Sequence, residues 1–273
     1  MLKRTITAVC AVALFIPICL FSDTVIFPLA MTLLSEIAVY EMLHCVGMKR
    51  LSVVIPSYLL GLLPLIPRFA GENAVPVLFG CCVVYLIAVL AADVFSRGTL
   101  DFADSAAAFL CVFYVTVSFA SIVLLRGVGR YFYLLTFIGP WVSDTFAYLT
   151  GRAVGKHKLI PEVSPKKTVE GSIGGIVFAA LGFVGFAALV HAVFDPSLSP
   201  NFVVLAVSGA VVSVISQIGD LSASVIKRRY GVKDYGWLFP GHGGVMDRFD
   251  SVLLTAPVLF LLSRIPAFSG LIL

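Results

Sequence analysis

Three stretches of this sequence carry carboxylates, hydroxyls and cations at spacings that could do chemistry. Asp220, Ser224 and Lys227 stand at i, i+4 and i+7, so one helical stripe would present a carboxylate, a hydroxyl and an ammonium, with Arg228 next in line. Lys233 and Asp234 follow, then Gly241-His242-Gly243-Gly244 and Asp247-Arg248, with Asp250 three residues beyond Asp247 on the same face. Further upstream, Asp144 interrupts Phe132–Leu149, which holds no other charge, and Tyr148 and Arg152 share its helical face. The third stretch reads Ser164-Pro165-Lys166-Lys167-Thr168, then Glu170-Gly171 and Gly174-Gly175.

Carboxylates without cysteine partners are hard oxygen ligands suited to Mg²⁺, which binds one or two of them together with substrate phosphates. Asp144, Asp220, Asp247 and Asp250 are the candidate ligands. Paired lysines before a glycine-rich helix start suit an anion, because backbone N–H groups and the helix dipole add to the lysine charge. Together the stretches suit Mg²⁺-assisted chemistry on a polyphosphate. Simpler readings stay open at each point. Asp144 could form a structural ion pair, the basic loop could serve only to orient the chain, and His242 could be a loop hydrogen-bonder or a phosphate contact.

The elements that must position these residues are set by composition. The chain has 273 residues, 60% hydrophobic and 12% charged, with a mean hydropathy of +1.05. That is half the charge of a soluble domain, which carries roughly 25%, and disorder is excluded by the same figures. A net charge of +4 is too small to argue for a nucleic-acid partner. The six cysteines lie in or beside apolar runs with no CxxC pair, and read as packing residues. A bilayer-crossing helix needs roughly 20 apolar residues. Such runs lie near 5–22, 24–43, 51–67, 74–92, 105–125, 131–150, 172–194, 201–223 and 251–272. The expected fold is therefore an all-α, polytopic transmembrane helical bundle of about nine spans, eight to ten allowing for ambiguous boundaries.

Charge bias orients it. With the N-terminus cytoplasmic, 15 Lys and Arg fall inside and only Arg68, Arg126, Arg130 and Arg264 fall outside. Loops 151–171 and 224–250 then share the cytoplasmic side, where a lipid head group can meet a water-soluble nucleotide. No internal repeat or linker divides the chain, so 1–273 reads as one integral-membrane domain. Within it, 1–130 holds spans of unassigned function and 131–273 a catalytic half. Glu36 and Glu41 are expected to snorkel, or to pair with Lys49 or Arg50.

The stretch from Ser224 through Lys227-Arg228, Lys233-Asp234, Gly236, Leu238 and Phe239-Pro240 to His242-Gly243-Gly244, Asp247-Arg248 and Asp250 resembles the signature of the phosphatidate cytidylyltransferase (CDP-diglyceride synthase) family. Asp144-Thr145, Ala147-Tyr148, Gly151-Arg152, Gly155-Lys156 and Ser164 to Gly171 are similar to that family as well. The resemblance implies CTP + phosphatidate → CDP-diacylglycerol + pyrophosphate, a step of phospholipid biosynthesis at the cytoplasmic face of the cell membrane. It implies that Asp220 and Asp247 are the principal metal-binding residues for Mg²⁺, with Asp144 and Asp250 in a supporting role or holding a second cation in the same cluster, and that the protein is a homodimer. Lys166, Lys167, Lys227 and Arg228 are expected on triphosphate or lipid phosphate, with Ser164, Ser224, Lys233, His242 and Arg248 lining the substrate site. Glu170 and Asp234 are expected to orient those bases or touch metal. Two other readings compete. A CTP-dependent polyprenol kinase, or a cytidylyltransferase for another anionic lipid, would use the same carboxylates. A cation-coupled transporter would use them otherwise, but broken helices in two related halves are missing from the sequence.

Overall fold

In hydrocarbon a backbone must satisfy its own polar groups, so long apolar runs become helices. The computed structural model of the chain describes residues 13–239, 241 and 243–271, and these form a helical bundle of membrane type with one small hairpin. Its main helices are α1 (Ile26–Cys45), α2 (Leu51–Gly61), α3 (Ala74–Phe95), α4 (Phe102–Val128), α5 (Leu135–Val154), α6 (Val169–Leu189), α7 (Phe202–Arg229), α8 (Met246–Leu253) and α9 (Thr255–Ser263), with a five-residue helix, Ile66–Ala70, between α2 and α3. Among the described residues, five helical stretches are long and apolar enough to cross a membrane: Ile26–Cys45, Leu51–Phe95, Phe102–Val128, Val169–Phe194 and Phe202–Arg229. The expected span 5–22 is helical over residues 13–20, and its beginning lies outside the described residues.

Three expected spans, 51–67, 74–92 and 251–272, take another form. Residues 51–92 make one stretch of 45 residues, Leu51–Phe95, bent between α2 and α3 by short turns around Pro64, Pro67 and Gly71. The expected span 251–272 is divided between α8, α9 and a 3₁₀ turn, Pro266–Leu271. Polar Asp247, Arg248 and Asp250 precede that run on α8, and Pro257 and Pro266 interrupt it.

The loop expected at 151–171 contains a strand pair, β1 (Lys158–Ile160) and β2 (Ser164–Thr168), antiparallel with Lys158 opposite Thr168. Pro161 and Glu162 make its turn, with Val163 N donating to Ile160 O (3.2 Å). Thr168 then ends the strand in extended geometry and caps α6, its hydroxyl accepting from Gly171 N at 3.1 Å. The helix α7 outlasts its apolar run and carries Ser224, Lys227 and Arg228 on its last turns.

By its internal contacts the chain divides into two units, with boundaries at Val123/Leu124, Arg229/Tyr230 and Phe249/Asp250. In the unit containing α1, α2 and α3, buried Ser57 and Tyr85 share a hydrogen bond of 3.0 Å between α2 and α3. Residues 230–249 belong to this unit, and the Phe249 ring packs tilted at 49° against Phe119 with centroids 5.4 Å apart. In the other unit α5, α6 and α7 meet through small residues. A Cβ on Gly139 would lie 2.6 Å from Val212, and one on Gly209 would lie 2.7 Å from Ala179 O. Ser143 and Ser213 hydrogen-bond at 2.7 Å inside that contact. Small residues and interhelical hydroxyls are how helices associate where lipid removes the hydrophobic drive.

Candidate active site

The close approach of α5, α6 and α7 opens at one end into a cavity of about 420 Å³. From α5 come Asp144, Tyr148 and Arg152, from β2 come Ser164, Lys166 and Lys167, and from α7 come Gln217 and Asp220. The Lys167 ammonium forms an ion pair with Asp220, both side chains being only about a quarter exposed (26% and 29%). Lys166 and Arg152 are exposed at the same cavity. Ser172, in the first turn of α6, donates to Gln217 Oε1 at 2.5 Å, and Gln217 Nε2 donates to Ser213 Oγ at 3.2 Å. This amide bridge fixes α6 against α7 beside the cavity.

Asp144 and Asp250 both lie within electrostatic reach of Asp220, and of each other. Lys167 faces Asp144 as well as Asp220, and Lys227 faces Asp250. What lets Asp250 come so near is Gly219, whose position leaves its Cα side only 2.6 Å from Asp250 O if a Cβ is added. Gly219→Ala must therefore separate α7 from the start of the last helical segment. Overpacking of this kind costs about 1–3 kcal/mol, and because it moves Asp250 away from Asp220, turnover should fall by about 10-fold or more. The check is a thermal melt and a steady-state assay on G219A in detergent. Wild-type turnover would show that this approach has no part in the site.

The other unit holds Asp247, which is 9% exposed. Its Oδ2 accepts from Tyr235 N (2.8 Å) and Gly244 N (2.9 Å), closing the loop 235–247 upon itself. Phe239 N donates to Gly243 O (2.9 Å) across that loop, which reverses at Gly241 (φ 79°) and Gly243 (φ 82°), left-handed positions suited to glycine. Glu41 of α1 completes it by accepting from Val245 N (2.9 Å) and Met246 N (2.8 Å). This corrects the expected partners of Glu41, Lys49 and Arg50. The Arg50 guanidinium instead donates to Thr99 O at 2.9 Å. A 3% exposed carboxylate in an apolar helix needs donors at hand, and the first amides of α8 supply them.

Residues 2–265 match the Cytidylyltransferase family. The chain is 37% identical over 260 residues to the phosphatidate cytidylyltransferase of Staphylococcus epidermidis, 36% to that of Staphylococcus aureus and 35% to that of Staphylococcus haemolyticus. Each alignment covers 95% of this chain and 97% of the relative. The chain belongs to the cytidylyltransferase family. The family match extends over the first 130 residues, which the signature motifs do not reach.

Set against the family signature, the structure gathers Asp144, Ser164, Lys166, Lys167 and Asp220 at one cavity, with Asp250 in electrostatic reach of Asp144 and Asp220, and Lys227 in reach of Asp250. Ser224 lies one turn beyond Asp220 on α7, and Arg228 is exposed near its end. Glu170 faces elsewhere. It accepts from Lys156 N (3.0 Å) and pairs with His157 Nδ1 (2.6 Å), so it anchors the start of the hairpin that carries the two lysines. Lys233, Asp234 and Arg248 are exposed residues of the other unit, and His242 lies outside the described residues. Glycines 171, 174 and 175 pack on α5: added Cβ atoms would meet Ala147 O (2.6 Å), Thr150, and Ser143 O (3.0 Å). Their smallness serves packing within the chain. The sequence reading missed His157, Gln217 and the role of Glu41, and the one available signal was that Glu41 interrupts an apolar run.

The donor chemistry suits a hard divalent cation. Among the described residues no three Asp, Glu, His or Cys side chains are gathered as ligands of one ion. Mg²⁺ asks for less, one or two carboxylates completed by water and phosphate. Asp144 and Asp220 supply two such carboxylates at a shared cavity, with the Lys167 ammonium paired to Asp220.

Proposed function

We propose that this protein is a phosphatidate cytidylyltransferase of the cell membrane, forming CDP-diacylglycerol and pyrophosphate from CTP and phosphatidate. The observation that carries this reading is the cavity lined together by Lys166, Lys167, Arg152, Asp144 and Asp220 where α5 and α7 meet the hairpin. The named activity of the staphylococcal relatives supports it along nearly the whole chain.

In the reaction a phosphatidate phosphate oxygen attacks the α-phosphorus of CTP in line. The new O–P bond forms as the bond to the bridging oxygen of pyrophosphate breaks, and pyrophosphate leaves with that electron pair. No side chain has to be a nucleophile, because phosphatidate is already anionic at neutral pH. The work of the chain is positioning and charge neutralisation. Lys167 neutralises Asp220 before substrate arrives, so the cavity does not repel a polyphosphate. Lys166 and Arg152, exposed at its mouth, draw phosphate oxygens in. Glu170, through His157 and the hairpin, holds the lysines in register. Asp220 would hold Mg²⁺ with Asp144 and Asp250 in support, and the family signature assigns Asp247 to the metal as well; the ion would neutralise the triphosphate and polarise the α-phosphoryl group.

One experiment tests both the reaction and the side of the membrane. Sealed vesicles of each orientation receive external CTP labelled at the α- or γ-phosphate. Transfer of the α-label to lipid, in cytoplasm-side-out vesicles only and dependent on Mg²⁺, is expected. Transfer of the γ-label would identify a kinase instead, and equal activity in both orientations would overturn the cytoplasmic placement. Chemical cross-linking of the same vesicles should trap the proposed homodimer.

A further inference from the structure

We propose that Glu41 is a positioning residue for this reaction, fixing Asp247 from a helix about 200 residues away in sequence. The proposal rests on the reading of Asp247 as part of the active centre. Helix α8 is only eight residues long, and Asp247 is its second residue. Such a helix begins with unsatisfied N–H groups and a partial positive charge. Here the chain itself fills them. Asp247 takes Tyr235 N and Gly244 N, and Glu41 takes Val245 N and Met246 N. Three amides at the start of α8, those of Gly244, Val245 and Met246, are held by two carboxylates, and Tyr235 N is tied to the same group, so the start of α8 is a closed clamp rather than a cradle for a substrate phosphate.

The glycines of the loop are fitted to this clamp. A Cβ on Gly236 or on Gly244 would collide with the Glu41 carboxyl group, and one on Gly243 would lie 2.5 Å from Asp247 Oδ2. Gly236 and Gly244 do not occupy the left-handed region, so no backbone demand accounts for them. Their smallness is explained by the nearby carboxylate. A glutamate suits the place because its two oxygens reach two successive amides. Glutamine offers one acceptor, and aspartate is one methylene short.

The experiment combines hydrogen exchange, turnover and a double-mutant cycle on the full-length protein in nanodiscs. In Glu41→Gln, which preserves volume, amide exchange in a peptide covering 243–248 should rise about 10-fold or more, with peptides of α5 and α6 unchanged. Turnover should fall about 10²-fold, as expected for misplacement of a reacting group by about 1 Å, while the KM for phosphatidate stays within about 2-fold. Gly244→Ala alone should lose about 10-fold in turnover, but less than about 2-fold when added to Glu41→Ala, because the atoms it strikes are then gone. Unchanged exchange in E41Q, or losses in E41A and G244A that multiply independently, would overturn the proposal. Exchange is read without substrate, so a wild-type protein that makes no CDP-diacylglycerol would refute the assigned reaction and leave the clamp tested on its own terms.

Discussion

Asp220→Ala is expected to lower CTP-dependent turnover by at least about 10³-fold, the scale seen when a preorganised electrostatic group is removed from a reacting phosphoryl or acyl centre. That corresponds to about 4 kcal/mol of transition-state stabilisation. The fold should survive, because the Lys167–Asp220 pair is partly exposed and Asp144 remains to face the lysine. A loss of about 1–3 kcal/mol in stability, between the values for exposed and buried pairs, is the expected structural cost. The exchange of partners, Lys167→Asp with Asp220→Lys, separates the two contributions. It restores an ion pair in the same place, and should restore stability but not turnover. If the exchanged pair recovered wild-type rates, Asp220 would be a structural residue and the cavity would lose its place in the reaction.

Asp247→Asn should be nearly as damaging to activity and far milder on the fold. The amide oxygen of asparagine can still accept from Tyr235 N and Gly244 N, so the loop 235–247 keeps its closure. What disappears is the negative charge. Turnover should fall at least about 10²-fold, with the melting temperature close to wild type. Asp247→Ala removes the acceptor as well and leaves two buried N–H groups without it, each costing about 1–3 kcal/mol. A D247N protein with full activity would show that Asp247 only closes the loop. Comparing N with A by thermal melt and by assay therefore assigns the charge and the hydrogen bonds separately.

Much of this was legible in the sequence for physical reasons that need no coordinates. The apolar runs had to be helices, and α1, α4, α6 and α7 occupy them to within a few residues. The stripe Asp220, Ser224, Lys227 required only that α7 continue past its apolar part, as it does to Arg229. The lysine pair after Pro165 and the acid in the uncharged stretch of α5 were recognisable as unlike their surroundings, and both line the cavity. Less legible was the hairpin at 158–168. Three-residue and five-residue strands give too little alternation to be told from a polar loop. Nor could Glu170 be assigned, since its partners, Lys156 N and His157, depend on how that hairpin folds back.

By itself, then, the chain's composition determined the solvent, its run lengths the helices, and its charged interruptions where chemistry could lie. Those are local or one-dimensional properties, and each helix obeys them without reference to another. The partners of each charge were decided only by tertiary structure. Which carboxylate holds Lys167, which amides Glu41 fills, and why Gly219, Gly236 and Gly244 are small all depend on contacts between residues distant in sequence. A buried charge in an apolar medium must find a partner, but the sequence cannot say which one, because hydropathy carries no information about which faces meet.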